Sequence, residues 1–284
     1  MKTLLVPVLG VGGDAPALEL ANRIAATCDG HIDALHVQID TLEELGRLTM
    51  GEGVMSQEIY DMLAAENVGQ TAAAKKTFDR FCTAKEIAQV WDPGDCGVTA
   101  RWHDCVGHLK DEIVTRGRRH DLVVIGRDAS PFGMRVPDLA DIVLRCGRPL
   151  LLAPARLPQT TGRRIAIAWR NTAESAHALT AAMTFIASAE KVVILTVSED
   201  DADASEIEAG LLADQLRRTA SVEVQNAANC TGHVADTLID RAQAVQADML
   251  VMGAYGHSRA REFILGGATR DMLRDCPFPL FIVH

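Results

Sequence analysis

The sequence predicts an α/β protein of two domains, each a parallel sheet covered by helices on both faces. Three observations carry this. Short apolar runs alternate with helical patterns in the order β-α-β-α-β-α-β-α-β, which is how a parallel sheet is wound. The same order begins again after a linker, Pro154-Ala-Arg-Leu-Pro-Gln-Thr-Thr-Gly162. Pieces of the two halves also line up: Val123-Val-Ile-Gly126 with Leu250-Val-Met-Gly253, and Leu144-Arg-Cys-Gly-Arg-Pro-Leu-Leu151 with Arg274-Asp-Cys-Pro-Phe-Pro-Leu-Phe281. An internal repeat of this length means two copies of one unit. The expected domains are residues 1–155 and 163–284.

The elements follow in order. Thr3 to Leu9 is an apolar, β-branched strand closed by Gly10-Val-Gly12-Gly13. Asp14 is expected to cap a helix from Ala15 to Cys28, with Leu18, Ala21, Ile24 and Ala25 on one face. Gly30 stops it, and His31 to Gln38 is the second strand. Thr41 to Gly53 has no clean period, and Ser56 to Lys85 reads as one long helix. Its mixed charge suggests a solvated face, and with the irregular segment before it a lid or a partner surface. Asp92-Pro-Gly94 breaks the chain. Val98 to His103 is a strand, Val106 to Arg118 a helix, Asp121 to Ile125 a strand, Leu139 to Arg145 a short helix and Arg148 to Ala153 a strand. In the second half the strands are Arg164–Trp169, Lys191–Val197, Ser221–Ala227, Met249–Met252 and Leu280–His284. The helices between them are Thr172–Ala187, Ala204–Thr219, His233–Val245 and Ala268–Arg274.

Composition excludes several classes. The 284 residues suffice for two ordinary domains, and 48% hydrophobic with 23% charged residues is a globular balance. Aromatics are only 4%, so Ala, Val, Leu and Ile must fill the cores. A net charge of −10 argues against a general nucleic-acid binder. No apolar run reaches the length of a membrane span, and Met1-Lys-Thr-Leu-Leu-Val-Pro-Val8 is too short for a signal peptide. Seven scattered cysteines with no CxxC suit a reducing cytoplasm. Cys146 and Cys276, at matching repeat positions, read as buried small hydrophobes rather than redox sensors.

The chemistry concentrates in Gly253-Ala-Tyr-Gly256-His-Ser-Arg-Ala-Arg-Glu-Phe-Ile-Leu-Gly266-Gly267-Ala-Thr269. A glycine-rich turn between a buried strand and a helix is a common way for a backbone to wrap a phosphate. It is neither a P-loop nor a G-x-G-x-x-G turn. The spacing Gly-x2-Gly-x9-Gly, together with the Pro-x-Pro turn before the last strand, resembles the nucleotide loop of the universal stress protein (UspA) family, in its tandem-domain form. The family pattern continues with Ser, Thr or Asn where this chain has Gly267; Thr269 stands two residues on.

The resemblance implies Rossmann-like sheets of the adenine nucleotide alpha hydrolase type, five strands each in the order 3-2-1-4-5. It implies a stress-response binding or signalling protein rather than an enzyme, with at most weak ATPase activity. ATP or a related anionic nucleotide is the implied ligand in the second half, and Mg²⁺ is compatible with it. The site residues carried over are Trp169, Arg170, Asn171, Val197, Gly253, Gly256, His257, Arg259, Gly266, Gly267, Ala268 and Thr269. Nucleotide-binding members carry Asp where this chain has Arg170. An Arg cannot accept a hydrogen bond there, but it can pair with a phosphate.

In the first half the matching loop, Gly126-Arg-Asp-Ala-Ser-Pro-Phe-Gly-Met-Arg-Val-Pro137, lacks the later glycines, and Leu9 takes the Asp position. Pro137 has no N–H for a phosphate and Asp138 would repel one. This half is therefore expected to bind no nucleotide in the family manner, with Gly10-Val-Gly12-Gly13 as an alternative phosphate loop. Family practice also implies pairing of the two domains within one chain through Leu150–Ala153 and Leu280–Val283, and leaves room for a homodimer.

Other readings stay open. The glycines of the second loop could make a tight turn with no ligand. An enzyme, such as a slow nucleotide hydrolase, and a ligand-free interaction module are the alternatives. Trp102-His103-Asp104-Cys105-Val-Gly-His108, with Cys96, holds metal-ligand residue types in no standard zinc spacing, so no metal site is assigned.

Overall fold

The computed structural model describes residues 1–38, 57–91, 97–128, 133–198, 202–228, 233–254 and 267–284. They form two compact units, Met1–Met134 and Arg135–His284. The segment from Thr41 to Gly53 lies outside the described residues.

The first unit contains β1 (Thr3–Pro7), α1 (Asp14–Ala25), β2 (His31–Gln38), α2 (Gln57–Lys85), β3 (Ala88–Gln89), β4 (Thr99–Val106), α3 (Leu109–Gly117) and β5 (Leu122–Gly126). Its parallel sheet runs β3-β4-β2-β1-β5. Helix α1 buries Leu18, Ala21, Ile24 and Ala25, the face its period predicts. Two boundaries differ from the sequence expectation. Strand β4 continues to Val106 because it pairs with β2 along its whole length, to Gln38 opposite Val106. Helix α3 therefore starts only at Leu109, after Gly107. Strand β3, two residues long, is too short to leave a periodic signal.

Helix α2 is not a fully solvated rod. Ala74, Phe78 and Cys82, one turn apart, are buried. The Phe78 ring lies 5.4 Å from that of Trp102, which stacks on His36 at 5.9 Å. This narrow apolar stripe is docked while the other faces of the helix stay in solvent.

The second unit contains α4 (Val136–Cys146), β6 (Leu150–Ala153), β7 (Arg164–Ala168), α5 (Ala173–Ser188), β8 (Lys191–Ser198), α6 (Ala202–Leu216), β9 (Val222–Ala228), α7 (Val234–Ala244), β10 (Met249–Gly253), α8 (Gly267–Asp275) and β11 (Leu280–Val283). Strands β9-β8-β7-β10-β11 are parallel, which is the expected order 3-2-1-4-5. Strand β6 adds to the edge, antiparallel to β11, with Leu280 opposite Leu152 and Ile282 opposite Leu150. The two terminal strands thus cover each other's free N–H and C=O groups. Packing divides the chain between Met134 and Arg135, ahead of the expected repeat boundary between 155 and 163.

Two devices recur. The Asp121 carboxylate, just before β5, accepts the N–H groups of Lys2 at 2.6 Å and Thr3 at 3.1 Å. Asp248, just before β10, accepts those of Arg163 at 3.2 Å and Arg164 at 3.0 Å, and the Thr160 hydroxyl. Each carboxylate pins the start of the central strand to the strand beside it. The ends of β5 and β10 carry the second device, a glycine. A Cβ on Gly126 would lie 2.0 Å from the Gly13 carbonyl oxygen, and one on Gly253 2.5 Å from backbone atoms of Glu174 and Ser175.

Candidate functional site

Ligands of open parallel sheets sit beyond the carboxyl ends of the strands, where the order reverses. That point lies between β7 and β10 in the second unit and between β1 and β5 in the first.

In the second unit Ala168 of β7 pairs with Met252 of β10, so Trp169 and Gly253 sit at neighbouring strand ends. The Trp169 backbone N–H donates to the Leu195 carbonyl at 2.9 Å. Its indole Nε1 is buried and has no hydrogen-bond acceptor among the described residues. A buried donor without an acceptor costs about 1–3 kcal/mol, so its position calls for a partner. Arg170 is exposed, and its carbonyl accepts the Thr172 N–H at 2.7 Å. Asn171 donates through Nδ2 to Glu208 of α6 at 2.7 Å. Thr172 caps α5, its hydroxyl accepting the Ser175 N–H at 3.3 Å. Val197, half-buried, lies on β8 on the other side of β7.

Gly253 faces the backbone at the start of α5, so close packing of β10 on that helix already requires a glycine there. Gly267 opens α8, is exposed, and has open space where a side chain would stand; Ala268 follows and Thr269 is buried. Gly256, His257, Arg259 and Gly266 lie outside the described residues.

The matching crevice of the first unit is filled by the protein itself. Asp14 is the first helical residue and makes no cap bond to α1; the cap position belongs to Gly13. Instead its buried carboxylate reaches back to the N–H groups of Leu9 at 2.9 Å, Gly10 at 2.7 Å and Val11 at 3.0 Å. Burial pushes this carboxyl above its ordinary value, against the pull of those three N–H groups. Asp128, beyond β5, accepts the Gly13 N–H at 2.8 Å. Gly10, at φ +81°, lies against α2, where a Cβ would meet the Gln70 carbonyl oxygen at 2.6 Å. The turn Gly10-Val-Gly12-Gly13 is therefore not an open phosphate loop: two internal carboxylates hold the N–H groups that a phosphate would use. The signal available in the sequence was Asp14 itself, an acid placed directly after the glycines.

The other motifs resolve simply. His103 sits within β4 and His108 immediately before α3. Among the described residues no group of three or more His, Cys, Asp or Glu side chains is arranged to hold a metal ion. Cys146 and Cys276 are both buried. Among the described residues no helix is long and apolar enough to cross a membrane.

Comparison with known proteins bears on the fold. Residues 162–284 match the universal stress protein family. A universal stress protein of Synechocystis sp. is 23% identical over 186 residues, covering 62% of this chain and 60% of its own length. The match thus spans less than two thirds of that relative. The crystal structure of a universal stress protein from Archaeoglobus fulgidus superposes with a TM-score of 0.70 at 15% identity, covering 99% of this chain and 96% of that one. A functionally unknown protein from Pseudomonas aeruginosa PAO1 superposes with a TM-score of 0.58 at 14% identity, covering 100% and 92%. At such identities the superpositions speak for the fold. The likeness to the universal stress protein family is thus carried in sequence by residues 162–284, and over the whole chain by the fold.

Proposed function

We propose that this chain is a stress-response binding or signalling protein of the cytoplasm whose second half, residues 163–284, binds ATP or a related anionic nucleotide, and whose first half, residues 1–155, is a copy that binds none. One contrast supports this reading. The first crevice is closed by Asp14, Asp128 and Gln70, whereas beside the second the Trp169 N–H is buried without an acceptor.

In this reading Trp169, Asn171 and Val197 border the nucleoside, and Trp169 donates to it through Nε1. Arg170 pairs with a phosphate. The turn with Gly256, His257, Arg259 and Gly266 wraps the phosphates, and Gly267, Ala268 and Thr269 offer the N–H groups of a helix start. Mg²⁺, if bound, accompanies the phosphates. The role is binding rather than turnover, so His257→Ala changes affinity and reveals no lost catalytic rate.

The test is mass spectrometry of small molecules released from the purified, denatured protein. A nucleotide is expected. Release of none, from a protein that also fails to take up added ATP, would overturn the reading and favour a ligand-free interaction module.

A further inference from the structure

The first unit carries a charged cluster that the nucleotide reading does not use. Asp33 of β2 is buried, and four side chains converge on its carboxylate. Arg101 of β4 is bidentate, Nε to Oδ1 at 2.8 Å and Nη2 to Oδ2 at 3.1 Å. His120 Nε2 donates to Oδ2 at 2.8 Å. His103 Nε2 lies 3.2 Å from Oδ1, and His31 Nε2 lies 3.4 Å from it. His120 also places Nδ1 2.8 Å from the Arg116 carbonyl oxygen. His120 thus bridges the Asp33 carboxylate and the last turn of α3.

A cavity of about 350 Å³ opens beside this cluster, lined by Arg101, His103, Arg116 and Arg119 together with Leu5 and Leu35. It lies toward the amino ends of β1, β2 and β4, away from the carboxyl-end crevice. Its charge balance is positive. Asp33 is spent on Arg101 and His120, and Glu112 is spent on Arg116 at 2.8 Å. Three guanidiniums thus face two carboxylates, and the exposed Arg119 guanidinium has no partner among the described residues. On a chain of net charge −10 this is a local reversal of sign. Converging guanidiniums match the oxygens of a phosphate, and low-dielectric walls strengthen their field. Leu5 and Leu35 supply an apolar floor, and the size falls at the small end of ligand sites, roughly 300–1,000 Å³.

We infer that this cleft is a second anion site, which takes the phosphate group of a small molecule between Arg119, Arg116 and His103. His103 gives the reporter. Burial pushes its imidazole below the ordinary value, with Arg101 acting in the same direction and Asp33 against it. A phosphate entering the cleft reverses that balance.

The experiment is an NMR titration of the full chain followed at the His103 ring, with inorganic phosphate and glycerol 3-phosphate as probes and chloride as an ionic-strength control. Saturable shifts at His103, with a titration midpoint that rises, are expected with phosphate probes and not with chloride. Tighter binding of glycerol 3-phosphate assigns the source to phosphate esters; equal binding assigns it to free phosphate. Arg119→Gln should weaken either probe roughly tenfold or more, and Arg119→Lys should recover part of the loss. Arg119 is exposed, so the unfolding midpoint without phosphate should not move. Absence of saturable shifts, or phosphate binding that Arg119→Gln leaves unchanged, would overturn the inference. The result does not depend on the nucleotide site, which lacks Arg119.

Discussion

Gly126 approaches Gly13 so closely that a methyl group on it would lie 2.0 Å from the Gly13 carbonyl oxygen. Gly253 stands in the same relation to Glu174 and Ser175, at 2.5 Å. In both units the strand beyond the switch point thus packs its last residue against the backbone that opens the helix following the central strand. Because the opposing atoms are backbone, a side chain cannot be accommodated by a rotamer change. Gly126→Ala and Gly253→Ala should each destabilise by about 1–3 kcal/mol or more, Gly126 the more strongly. Gly210→Ala, in helix α6 with nothing within 4 Å of the new methyl, should instead stabilise by about 0.5–1 kcal/mol. Urea unfolding of the three variants checks the contrast.

The Asp33 cluster makes stability depend on pH in a defined direction. Burial would raise this carboxyl, but His120, His31 and Arg101 outweigh it and hold it far below the usual carboxylate range. A depressed folded-state value means the stabilisation is complete above the unfolded value, near pH 4, and is lost as pH falls further. Asp33→Asn should cost roughly 2–4 kcal/mol at pH 7, less than a fully sealed pair because Arg101 and His103 reach solvent. The difference between the two proteins should shrink below about pH 4. Thermal unfolding of both across pH 2.5–8, a range chosen to span about one unit and more on each side of that value, reads this directly.

Asp14 holds the first glycine turn from within. Asp14→Ala removes the acceptor of three backbone N–H groups, those of Leu9, Gly10 and Val11. A loss of about 2–4 kcal/mol is expected. Hydrogen exchange should locate the loss, with protection falling at these amides before it falls across β1.

Trp169→Phe keeps an aromatic ring but deletes the unpaired N–H together with part of the indole. ATP affinity should fall roughly tenfold, while stability without ligand should change by less than about 1 kcal/mol, since removal of a buried donor without an acceptor offsets the lost packing. Calorimetry and urea unfolding separate the two effects.

Much of this architecture was legible in the chain. The strands of the second unit and the buried face of α1 follow from short apolar runs and from Leu18, Ala21, Ile24 and Ala25 at helical spacing, whereas the strand order was implied by the family resemblance of the glycine loop. Gly126 and Gly253 were visible as repeat partners, but not their role, since a close backbone approach leaves no trace in spacing. Helix α2 has the solvated face its charge suggests, but its charge masked the buried stripe Ala74, Phe78, Cys82, which is confined to the C-terminal part. The Asp33 cluster was hidden because its members come from β2, β4 and the end of α3, far apart in the chain. A trace existed in His31-x-Asp33 and Arg101-x-His103, polar residues at alternate positions of strands. Period two places each pair on one face, but only the register brings the two pairs together.

The central claim is that one unit binds a nucleotide and the other does not. Calorimetric titration of the full chain with ATP, in excess inorganic phosphate so that the Arg119 cleft is occupied, tests it most directly. The account predicts saturable heat with one ATP per chain, abolished by Gly256→Val. No heat, or two ATP per chain, would contradict it.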